Sequence, residues 1–224
     1  MVQNVTPKGS IVYKFLIVVL SAALVATILY PKKLWQEEEE RTKQCRNNME
    51  HILYSELVYI GDNQTYSDTL EKVVQFIKED TTLRRLRLFT SIDSTLATSI
   101  FDYLKSDSLA SSIIDSLARY GRRYDIDTTE AMILDSLHTF PNYSRIIDSL
   151  ALYSLDHMNE CPTVHRPYII TVIDTSAIKQ LIIECPIDSL DSLAVARNFK
   201  LSKLGGLVIT NHGKIENGER SWAK

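Results

Sequence analysis

Twenty consecutive residues, Ile11 to Tyr30, read IVYKFLIVVLSAALVATILY and carry one charge, Lys14. As a helix at about 1.5 Å per residue they span roughly 30 Å, the thickness of a bilayer's hydrocarbon core. Lys14 sits near one end, where its long side chain reaches the headgroups. A helix of a small soluble domain needs a polar face, and this segment has none. A cleaved secretory signal is the rival reading, with Lys8 and Lys14 as its basic region. Its apolar stretch is longer than the usual 7 to 15 or so residues, and no small-x-small cleavage site precedes Pro31. The segment therefore predicts a single-pass protein in contact with membrane lipid, with most of its mass in one water-soluble domain on one side. Lys14, Pro31, Lys32, Lys33 and Trp35 mark the membrane interface.

With 224 residues, 45% of them hydrophobic, the chain is large enough for one buried core beside the anchor. Its net charge of -3 provides no basic field, and the dense cationic cluster Arg84, Arg85 and Arg87 is interleaved with Leu86, Leu88 and Phe89. Nucleic acid is excluded as an expected partner.

Past Pro31 the chain has good helix formers and no breaker before Gly61, with Cys45, Met49, Ile52, Leu53 and Leu57 at three- and four-residue spacing. One helix from Ile11 to Ile60, bent at Pro31 and about 75 Å long, is expected. The acidic run Glu37 to Glu40 reads as its solvated face. A second helix is expected over Ser67 to Lys78, on the stripe Leu70, Val73, Val74 and Ile77. Short helical patterns follow from Ser91 to Asn159. The tripeptide Asp-Ser-Leu recurs, starting at Asp107, Asp115, Asp135, Asp148, Asp188 and Asp191, without a fixed period. It reads as aspartate and serine at helix starts with the leucine entering the core. After Cys161 the texture turns to strands, RPYIITVID, KQLIIEC and GLVIT, with turns at Asp174 to Ala177, Asn211 to Gly213 and Asn217-Gly218. These predict an antiparallel sheet of three or four strands. The fold class is α+β. The divisions are residues 1–10, a leader-like segment; 11–31, the transmembrane helix; 32–83, the extramembrane helix and a second helix; 84–159, a helical insert; and 160–224, the sheet region.

Signatures of chemistry are sparse. GxGxxG, P-loop, GxSxG and HExxH motifs are absent, and seven glycines poorly supply a phosphate cradle. The expectation is a non-enzymatic protein with no small-molecule substrate and no cofactor. His157, Cys161, His165, Cys185 and His212 have residue types that bind zinc, but Pro162 breaks the helical face that the first three would share, so no metal site is expected. A disulfide between Cys161 and Cys185 is the favoured pairing, since they flank two strands between which the chain doubles back; two buried thiols are the alternative. Cys45 reads as a small packing residue of the long helix.

The anchor and the helix after it resemble the N-terminal half of type IV pilins and type II secretion pseudopilins. The features are Lys8-Gly9 before Ser10, Ile17-Val18-Val19 within the apolar run, and Pro31 twenty-one residues beyond Ser10. Tyr66, Ser67 and Leu70 match a stretch near the end of the family's long helix, and Cys161-Pro162 with Tyr168 and Cys185-Pro186 resemble the small sheet of some pseudopilin heads. The likeness covers about residues 8 to 78 and, more faintly, 161 to 224. It implies processing between Gly9 and Ser10, partnership with other membrane or pilin-like subunits, and a head on the periplasmic side of the cytoplasmic (inner) membrane. In contrast, Lys32, Lys33, Arg41, Lys43 and Arg46 outnumber Lys8 and Lys14, which by charge alone places the head in the cytoplasm. Two positions depart from the family. Lys14 stands where the family has a glutamate that pairs with a neighbouring subunit's amine, and Ser10 stands where it has an aromatic residue. The functional expectation is a structural or accessory subunit acting through helix-helix and head contacts. A single-pass scaffold subunit docking through residues 84–159 is the alternative.

Overall fold

A computed structural model of the chain describes residues 11–123, 129–175 and 179–223. The leader positions Lys8, Gly9 and Ser10, and the turn residues Ser176 and Ala177, lie outside them. The fold is mixed helix with a small antiparallel sheet, led by one long apolar helix.

Helix α1 runs Ile11–Asn63 through Pro31, three residues beyond the expected stop at Ile60. Its lipid-length N-terminal stretch is long and apolar enough to cross a membrane, and none of it is buried. Leu20 and Leu24 stand 59% and 62% exposed. Further along, the same helix carries the core residues Cys45, Met49, Ile52, Leu53 and Val58. Leu57, placed on the apolar stripe by its spacing, is exposed, and Val58 takes the inward position.

Contacts divide the chain into two compact units. The first is residues 1–41 with 187–210. Its second segment holds α8 (Ser189–Arg197) and a π-helix, Phe199–Leu204. A capping box starts α8: Asp188 accepts from the Leu190 and Asp191 backbone N–H groups, and Asp191 accepts from the Asp188 N–H. A side chain at Gly205 would collide with Leu34 and the Leu201 carbonyl, so a glycine is required where the π-helix ends. The expected strand GLVIT is therefore corrected: residues 206–210 form no strand, because they lack a partner strand to complete a ladder.

The second unit, residues 42–186 with 211–224, contains the helical part and the sheet. Helix α2 (Leu70–Lys78) buries Leu70, Val73 and Ile77. Five helices fill the expected insert: α3 (Arg84–Ile92), α4 (Ser94–Lys105), α5 (Ser108–Arg123), α6 (Glu130–Leu137) and α7 (Pro141–His157). Their starts follow local chemistry. Asp93 accepts from the Leu96 N–H to cap α4, Asp107 from the Ala110 N–H to start α5, and Pro141 opens α7 where its missing N–H is not needed. Asp80 helps begin α3 by accepting from the Thr82 hydroxyl and the Arg85 N–H, which hold its carboxyl down to about 2.

The Asp-Ser-Leu reading is half corrected. Asp107, Asp188 and Asp191 serve helix starts, whereas Asp115, Asp135 and Asp148 lie inside helices. Of the leucines, Leu137 is fully buried, while Leu109 and Leu190 are among the most exposed apolar side chains.

The sheet has four strands in sequential order, β1 (Ile169–Asp174), β2 (Lys179–Glu184), β3 (Lys214–Glu216) and β4 (Glu219–Arg220), all antiparallel. Leu181 and Ile183 of β2 and Ile215 of β3 bury the inner face. Asn217-Gly218, with φ values of 52° and 84°, make the tight turn between β3 and β4.

One buried carboxyl sets a pH dependence for this unit. Glu56 on α1 is fully buried; its Oε2 accepts from the Ser67 N–H at 3.0 Å, and its Oε1 has no hydrogen-bond partner among the described residues. Burial, against the help of that N–H, pushes its pKa from 4.5 up to about 7. Between those values the folded chain holds more proton than the unfolded one, so stability is fullest near and below 4.5 and falls as pH rises through about 7. The loss amounts to about 3 kcal/mol. Glu56→Gln should abolish that slope, so urea unfolding at pH 5 and pH 8 should show the variant gaining on the unsubstituted protein only at the higher pH.

Candidate metal centre

Four buried donors from four separate segments meet in the second unit: Cys45, Cys161, Cys185 and His212. Their ligand atoms all lie within 4.8 Å of one another. The Cys45 and Cys185 sulfurs are 3.6 Å apart, and those of Cys161 and Cys185 are 4.0 Å apart.

Each donor is fixed by the backbone around it. Cys45 is carried by α1, and its carbonyl accepts from the Tyr168 hydroxyl at 3.2 Å. Cys161 begins a tight loop after α7, closed by the Glu160 and Pro167 bridge and by hydrogen bonds from the Cys161 N–H to the Arg166 carbonyl and from the His165 N–H to the Cys161 carbonyl. Cys185 follows β2 and donates its N–H to the Gly213 carbonyl. His212 lies between them in a turn held by Asn211, whose side chain donates to the Cys185 carbonyl and accepts from the Gly213 N–H. Gly213, at φ 119°, leaves no room for a Cβ against Ser221 and Trp222. Next to Cys45, Arg46 donates from Nε to the His212 carbonyl at 3.0 Å and lies over the Trp222 ring. Asn48, a turn further on, donates to the Glu160 carbonyl. Cys45, Arg46 and Asn48 of α1 thus bond to the segments that carry Tyr168, His212 and Glu160.

The three thiols are not equivalent. Hydrogen bonding with Cys185 and Cys45, helped by His212, pulls the Cys161 pKa far below the ordinary thiol range, whereas hydrogen bonding with Cys161 and Cys185, with burial, pushes Cys45 far above it. Burial, with the neighbouring cysteines, also raises Tyr168 well above its usual value.

Cys161 and Cys185 are brought together as their positions implied, but as thiols: all three cysteines are free. A bond at about 2.05 Å would need the sulfurs to close roughly half their separation. His157 and His165, the other candidates, are both exposed; His157 stacks on Tyr153 at the end of α7, and His165 occupies a left-handed turn position. Cys45 takes their place, a role its place in an apolar stripe concealed. The legible signal was the pairing of two Cys-Pro steps with His212-Gly213 around short strands.

The residues expected at the membrane interface fall in the first unit. Lys14, Lys32 and Lys33 are exposed, with Lys33 3.6 Å from Glu37, and Pro31 is half-buried in the helix. Trp35 is 57% exposed and lies against Gly206.

The structure thus defines a mixed α and β chain with, among the described residues, one helix of membrane-spanning length and a buried Cys3His cluster. No protein-family model matches the chain, and neither does any curated protein or solved structure.

Proposed function

We propose that the chain is a non-enzymatic, single-pass protein of the cytoplasmic membrane, a pilin- or pseudopilin-like accessory subunit whose head stands on the periplasmic side. The observation that carries this reading is the change of role along α1. Its N-terminal stretch is apolar but for Lys14 and none of it is buried, which suits lipid or neighbouring helices, while its second half is the buried spine of a head. A helix of that build ties a head to the surface and leaves the anchor to contact other subunits. Its four-stranded antiparallel sheet suits the pseudopilin-like expectation.

Lys14 decides the kind of subunit. Within a turn of the interface it is harmless to anchoring, because it snorkels. Beside a neighbour's N-terminal amine it repels where a carboxylate attracts. The chain therefore serves as an initiating, capping or accessory subunit and does not form filaments alone. Exposed Leu109, Tyr120 and Met132 on α5 and α6 supply the apolar surface that a scaffold role would use.

Mass spectrometry of the native N-terminus tests this reading. A mature chain starting at Ser10, with an N-methyl group, is expected. An intact residue 1 would remove the pilin-like assignment and leave an anchored scaffold subunit.

A further inference from the structure

We propose that Cys45, Cys161, Cys185 and His212 bind one zinc ion as a structural Cys3His centre. Three thiolates and an imidazole are a donor set of closed, four-coordinate zinc sites. The spacing suits the ion. With Zn–S near 2.3 Å and Zn–N near 2.0 to 2.1 Å, a tetrahedron has edges of about 3.8 Å between sulfurs and about 3.5 Å from sulfur to nitrogen. The sulfur separations of 3.6 and 4.0 Å bracket the first value. A spread within 4.8 Å leaves space at the centre for one ion, not for a multinuclear cluster.

The surroundings suit it as well. Hydrogen bonds hold the ligand-bearing backbone in place: Tyr168 on the Cys45 carbonyl, Asn211 on the Cys185 carbonyl, and Arg46 on the His212 carbonyl. One dication with three thiolates leaves a net charge of -1, which the Arg46 guanidinium on the His212 carbonyl offsets. The metal replaces the thiol protons, which leave to solvent as the S–Zn bonds form. Oxidation is the competing fate, and three cysteines serve it poorly, since bonding any two leaves a third thiol in contact and able to exchange. Zinc would clasp α1 to the loop after α7 and to both ends of the β2–β3 connection, joining segments more than a hundred residues apart in sequence.

The test uses the full chain, purified in detergent without chelator or reductant. Elemental analysis should find about one zinc per chain, and a mercurial titrant should release it as the three thiols react. Replacement with Co2+ should give the intense visible bands of a tetrahedral site with thiolate charge transfer. Cys185→Ala and His212→Ala should each lose the bound metal. His212→Cys should retain it as a four-cysteine site, which separates loss of a ligand from loss of the fold. Arg46→Ala should weaken binding by about 10- to 100-fold without changing the stoichiometry. A metal-free chain after zinc addition, a chain lighter by the two hydrogens of a disulfide, or zinc that survives all the ligand substitutions would overturn the proposal.

Discussion

Replacing Leu20 and Leu24 together with arginine should release the chain from the membrane. Each charge near the middle of a membrane helix costs about 2.5 to 3.5 kcal/mol on insertion scales, so the pair costs about 5 to 7 kcal/mol. The two lie one helical turn apart and are both well exposed, so in a protein living in water the change would be neutral or improve solubility. That contrast makes the result decisive. The doubly substituted chain should leave the carbonate-washed membrane pellet while its soluble head keeps the circular dichroism of the unsubstituted protein. Full retention in the pellet would show that lipid is not what this surface meets.

The next largest effect is expected at Asp93, the residue between α3 and α4. Its side chain is completely buried, caps α4 through the Leu96 N–H, and stands 2.6 Å from Nδ1 of His51 on α1. Thr95 strengthens the same join by donating to Glu50 at 2.5 Å. Asp93→Ala removes the cap and leaves a buried imidazole without this partner. Leaving a buried hydrogen-bonding group unpaired costs about 1 to 3 kcal/mol, and losing the cap about 1 kcal/mol. Thermal unfolding should fall by roughly 5 to 15 °C, at about 2 to 4 °C per kcal/mol for a domain of this size. Asp93→Asn keeps an oxygen for the Leu96 N–H and should recover part of the loss. Equal melting of all three proteins would mean that this contact does not hold the helical part to the spine.

These two cases show which features a sequence discloses. Leu20 and Leu24 were legible because an apolar run of twenty residues, interrupted only by Lys14, has few alternatives to a lipid-length helix. The insert's helices were legible from their periodicity, and β1 and β2 from β-branched runs on either side of a turn. Asp93 was not legible, since an aspartate before Ser-Thr-Leu looks like any cap and nothing local announces His51 forty-two residues earlier. The segment GLVIT misled because a β-branched run reads alike whether or not a partner strand exists to complete its ladder. In the Cys3His cluster, Cys161, Cys185 and His212 stand out in the sequence by residue type, whereas Cys45 reads as a packing residue. Its spacing to Met49 and Ile52 fits a core stripe, and core packing and metal ligation make the same demand on a helix, an inward-facing side chain. Only the convergence of α1, the loop after α7 and the end of β2 separates the two.

The claim that the anchor works by contact with other subunits is tested most directly by a photo-crosslinking residue placed at Val19, in the exposed apolar half of α1, in cells of the native host. Illumination should yield adducts with a protein that carries a pilin-like N-terminal apolar helix, identified by mass spectrometry, and Lys14→Glu should increase them. Monomeric chains carrying lipid adducts alone would contradict the account.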